Sequence, residues 1–88
     1  MNADISENLK AKIYQDFSIP EQKEILEEFE KLGRLFAEWE SKDFFVSNEN
    51  ERIYFGILKL SDGKISDFHD LIKEAKIDWR NILYWSEL

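Results

Sequence analysis

The chain contains no cysteine. Disulfides, a thiolate nucleophile and a cysteine-ligated zinc are excluded, and a reducing compartment is the expected setting. Glycine is nearly as scarce, with only Gly33, Gly56 and Gly63. Their spacing gives no loop that could cradle a phosphate. Basic residues are outnumbered, 12 Lys and Arg against 19 Asp and Glu, for a net charge of −7. That balance opposes a phosphate backbone, which wants clustered Lys and Arg. The aromatic residues are not interleaved with basic ones, so a stacking platform for single strands is not expected either. No apolar stretch approaches the roughly 20 residues that span a bilayer. Met1-Asn2-Ala3-Asp4 lacks a basic segment followed by an apolar run, so no secretory signal is expected. The expectation is a cytoplasmic protein without nucleic-acid or membrane partners. Repeats, linkers and low-complexity segments are missing too, which leaves residues 1–88 as a single globular domain.

What the chain has in quantity is aromatic side chains: seven Phe, three Tyr and three Trp. Each can bury roughly 150–250 Å². A chain of 88 residues removes only about 60–65% of its unfolded surface from water. The surplus aromatics therefore either reinforce a small core or sit at an interface.

The longest near-continuous apolar run is Glu51 to Leu60, ERIYFGILKL. Periodicity alone does not separate a buried strand from a buried helix here. A hairpin over 44–60 would pair Phe44-Phe45-Val46 with this run. The helix reading rests on the ends. Ser47, Asn48 or Asn50 can cap it, Glu49 and Glu51 suit a helix N-terminus, and Asp62-Gly63 suits a left-handed stop.

Around this centre the spacing predicts further helices. Within residues 1–17, Ile5, Leu9, Ile13 and Phe17 form a stripe that Tyr14 widens, with Asp4 as the cap. From Ser18 to about Asp43, Ser18-x-x-Glu21 matches a capping box with Pro20 in the first turn. Ile25, Phe29, Leu32, Phe36 and Trp39 then recur at helical spacing, flanked by Leu26 and Leu35. Ser66 caps a helix to about Lys76 with Phe68, Leu71, Ile72 and Ala75 inward, and Asp78 opens a last short one with Trp79, Ile82 and Leu83 inward. The expected fold is all-α, a compact bundle of four or five helices. The alternative is α+β with the hairpin at 44–60.

In the C-terminal half, Leu58-Lys59-Leu60-Ser61, Gly63, Ala75 and Asp78-Trp79-Arg80 resemble a pattern in small uncharacterised all-helical proteins of bacteria. The resemblance covers about forty residues. It implies helix rather than hairpin for the central run and brings no active site with it.

Few residues invite chemistry. His69 lies near Asp67, Asp70 and Glu74, but one histidine without cysteine is a thin ligand set for zinc. A general base would need a pocket and an orienting partner. The bland alternative is a boundary histidine beside acids that favour a helix start. Glu24, Glu27 and Glu28 read as a solvated flank. No catalytic, cofactor-binding or metal-ligating residue is assigned. In Asp78-Trp79-Arg80, Trp79 and Arg80 are either a recognition spot or a core anchor and a carboxylate partner beside a capping Asp78. Tyr84, Trp85 and Leu88 are hard to bury together on one short terminal helix. Arg80, Tyr84, Trp85 and Leu88 are therefore the expected partner-binding residues.

The expected function is a non-enzymatic protein-binding module acting through an acidic and aromatic surface. One version is an inhibitor or immunity-type protein that neutralises a basic partner. The alternative is a homo-oligomer whose aromatics are subunit contacts.

Overall fold

The computed structural model describes residues 6–40 and 50–87. They form four helices, α1 (Glu7–Asp16), α2 (Ile19–Glu40), α3 (Asn50–Ser61) and α4 (Ile65–Ser86), and no strand occurs among the described residues. The central run is thus a helix, and the hairpin is ruled out for residues 50–60. Residues 41–49, including Phe44, Phe45, Val46, Ser47 and Asn48, lie outside the described residues. Asn50 is already inside α3, so it is not the cap.

α1 starts later than the sequence suggests. Its cap is Ser6, whose hydroxyl accepts from the Leu9 amide at 3.2 Å. Asp4 lies outside the described residues. Leu9, Ile13 and Phe17 are buried, but Tyr14 is 52% exposed. One residue past Ile13 is a rotation of about 100°, which carries the ring off the core stripe. The capping box of α2 is seen from its returning side, with the Ser18 amide donating to Glu21 Oε1 at 3.2 Å. Ile25, Phe29, Leu32 and Phe36 are fully buried, and Leu26 and Leu35 pack against that core. The Trp39 side chain is outside the described set.

α3 buries Ile53, Tyr54, Ile57 and Leu58 completely. Asp62 (φ 51°) and Gly63 (φ 78°) then take the left-handed conformation that ends it. α4 opens one residue before Ser66, and the cap position is Lys64, which makes no side-chain capping bond. The Ser61–Lys64 turn, closed by the Lys64 amide donating to the Ser61 carbonyl at 3.0 Å, delivers Lys64 in extended geometry and fixes the start of α4 there.

The core is threaded by aromatic rings taken from different parts of the chain. Phe17 meets Phe68 edge-on at 6.2 Å, Phe68 meets Phe29 at 5.5 Å, Phe29 stacks on Tyr54 at 4.5 Å, and Tyr54 stacks towards Phe36 at 6.3 Å. Each such pair contributes about 0.5–1.5 kcal/mol beyond its buried area. α3 and α4 make the closest pairing of helices. A Cβ on Gly56 would stand 2.8 Å from Ser86 Oγ and 3.0 Å from Ile82 Cγ2, so glycine leaves the room that these two α4 side chains fill.

Candidate functional site

α4 is one helix only by its hydrogen bonds. At Asp78 the backbone leaves helical space (φ −155°, ψ 98°) and the axis breaks. The sequence explains why. Asp78 behaves as a cap for the second leg, its Oδ1 accepting from the Arg80 amide at 3.1 Å. Arg80 closes a fork on the same carboxylate, Nε to Oδ1 at 2.9 Å and Nη2 to Oδ2 at 3.1 Å. Hydrogen bonding from the Arg80 side chain holds the Asp78 carboxyl below its ordinary value, and the same bond raises Arg80 above its own. Across the break, Asn81 Nδ2 donates to Glu74 Oε2 at 2.7 Å, tying one leg to the other.

The bend has a geometric result. Leu71 and Trp85 each lie seven residues from Asp78, one on either leg. At 1.5 Å per residue both stand about 10 Å from the vertex. They line a single open groove of about 410 Å³, with Leu60 from the last turn of α3 and with Asp67 and Asp70. The second leg is fixed by α3. Lys59 Nζ donates to the Ser86 carbonyl at 2.6 Å, and Arg52 pairs with Glu87 at 2.5 Å. Lys59 thereby places a cation on the negative end of α4.

Of the residues expected from sequence to meet a partner, Trp85 lines this groove and is 42% exposed. Tyr84 is 66% exposed but outside the groove lining. Arg80 is exposed, engaged by Asp78, and does not line the groove. Leu88 lies outside the described residues. Leu60, Leu71, Asp67 and Asp70 were not expected there. The helical stripe assigns Leu71 to the core, and the helix dipole accounts for both acids. The available signal was the equal spacing of Leu71 and Trp85 about Asp78.

Two other surface features are present. Tyr14, Ile19 (80% exposed) and Leu26 line a groove of about 350 Å³ with Lys23, Glu27 and Glu30. His69 links α4 to α2 by pairing through Nε2 with Glu24 and is half-exposed. Among the described residues no three His, Asp or Glu side chains are arranged to hold a metal ion. No helix among them is long and apolar enough to cross a membrane. Comparison of the chain with protein-family models, with curated proteins and with solved structures finds no match.

Proposed function

We propose that the protein is a non-enzymatic binding module of the cytoplasm that engages a basic protein partner through the groove at the bend of α4. The observation that carries this reading is Trp85, a large aromatic on the second leg of α4 that stays 42% exposed while lining the groove with Leu71 of the first leg and Leu60 of α3. Trp at the centre of an apolar depression is the residue type that most often dominates a protein interface. The net charge of −7 directs the expectation towards a basic partner, as for an inhibitor or immunity-type protein. The test is affinity capture from the native cell at low salt, repeated with Trp85→Ala. A basic protein that is lost on raising salt and lost with the variant supports the reading. A partner indifferent to both rejects it.

A homo-oligomer is the second reading, favoured by the exposed Tyr14 and Ile19, which line the other groove with the partly buried Leu26. Sedimentation equilibrium separates the two. A monomer mass that does not change with concentration removes the oligomer.

A further inference from the structure

Resting on the reading of the chain as a binding module, we propose that the groove takes a segment of a partner protein with an apolar side chain beside a Lys or Arg. The apolar side chain seats between Leu60, Leu71 and Trp85. The cation lies against Asp67 and Asp70.

Four observations carry this. First, the floor is apolar and of mixed origin, with Leu60 from α3 and Leu71 and Trp85 from the two legs of α4. Such a floor accepts a branched or aromatic side chain without any polar group to satisfy. Second, the charged groups of the lining are two carboxylates, and no Lys or Arg is among them. Third, Asp67 and Asp70 are both exposed and lie three apart on one helix, hence on one face. Neither has a cation of the described residues within ion-pair distance, although Lys64 and Lys73 are each three residues away. The α4 dipole compensates Asp67 in the first turn, and its effect fades by Asp70. An incoming cation relieves the repulsion between them. Fourth, the half-open indole of Trp85 attracts a cation as well as an alkyl group.

The same features argue against other occupants. A phosphate or a nucleic acid would meet two carboxylates and a net charge of −7. A second copy of this chain also carries a net charge of −7, and overall repulsion opposes its approach.

The test uses the full chain, ¹⁵N-labelled, and a short peptide with two leucines flanked by lysines. A second peptide carries glutamates in place of the lysines. The lysine peptide is expected to shift the Trp85 indole and the Leu60 and Leu71 amides saturably. The glutamate peptide is expected to bind at least about tenfold more weakly, since like charges oppose each other in a complementary interface. Asp67→Asn with Asp70→Asn should weaken the lysine peptide by about tenfold, and Trp85→Ala by about thirtyfold, the scale of an interface hot spot. The control is Glu7→Gln on α1 with Glu51→Gln on α3, neither of which lines this groove; it removes the same charge elsewhere and should change affinity less than about twofold at 0.1 M salt, which screens exposed charges.

Equal binding of both peptides overturns the proposal. So does an unchanged affinity in the Asp67/Asp70 variant, or a shift pattern centred on Tyr14 and Ile19. A dimer abolished by Trp85→Ala would make a second copy the occupant and overturn it too. If the cellular partner is lost with Trp85→Ala but the lysine peptide does not bind, the segment chemistry falls while the binding reading stands. If neither binds, both fall.

Discussion

Gly56 shows how one absent methyl group sets a helix pairing. Judged by helix propensity alone, Gly56→Ala should stabilise α3 by about 1 kcal/mol. The packing reverses that sign, because Ser86 is buried and its Oγ and Cβ, with Ile82 Cγ2, would all lie within 3.2 Å of the new atom. Gly56→Ala is expected to destabilise by about 1–2 kcal/mol in urea denaturation, the usual cost of overpacking. Adding Ser86→Ala removes the nearest atom and should restore part of the loss. A second residue makes a pH prediction. Asp78 has a folded pKa below its ordinary value of 3.8, so in acid the unfolded chain binds more protons and stability rises with pH. The contribution is complete above the ordinary range and is lost as pH falls through the lowered value. Asp78→Asn keeps a capping acceptor and removes the charge. The variant should be less stable than the parent at neutral pH, and the two should converge in acid. A gap independent of pH would show that the charge is not responsible. Tyr54 gives a third test. Its hydroxyl reaches the Phe29 carbonyl only at 3.4 Å, whereas its ring stacks with Phe29 at 4.5 Å and lies near-parallel to Phe36 at 6.3 Å. Tyr54→Phe should cost at most about 1 kcal/mol, and Tyr54→Ala about 3–5 kcal/mol.

At the scale of the element, the stripes were legible and several ends were not. The spacing of Ile25, Phe29, Leu32 and Phe36 dictates one buried face whatever lies opposite, and all four are buried. The stop at Asp62-Gly63 was legible for the same kind of reason, since few residues tolerate positive φ. Caps are weaker signals because several residues within a turn can serve. Ser6 replaces Asp4, and Lys64 stands where Ser66 was expected. The restart at Asp78 was legible, but the angle it imposes was not, because that depends on how α3 braces the second leg. Leu71 and Trp85 could therefore not be placed across from one another. The brace is testable. Lys59→Met removes the cation from the Ser86 carbonyl and should cost about 0.5–1 kcal/mol, read by thermal unfolding at low salt. Since Trp85 sits one residue before Ser86, its fluorescence should respond as well.

At the scale of the molecule, the aromatic side chains divide between the core and the surface grooves, where they meet carboxylates. Phe17, Phe29, Phe36, Tyr54 and Phe68 are buried, so part of the aromatic surplus reinforces a small interior. Tyr14, Tyr84 and Trp85 are the aromatics that reach water among the large exposed side chains. The chain of rings also alternates its source. Phe17 comes from the first half, Phe68 from the second, Phe29 from the first, Tyr54 from the second and Phe36 from the first. Along this row of rings the two halves mesh like fingers of two hands, and the core is shared between them. A chain severed between α2 and α3 should give two fragments that are each largely unstructured in isolation and that recover helical circular dichroism only when mixed. Their reassembly would be second order in concentration, turning the folding of one small protein into a binding reaction between its parts.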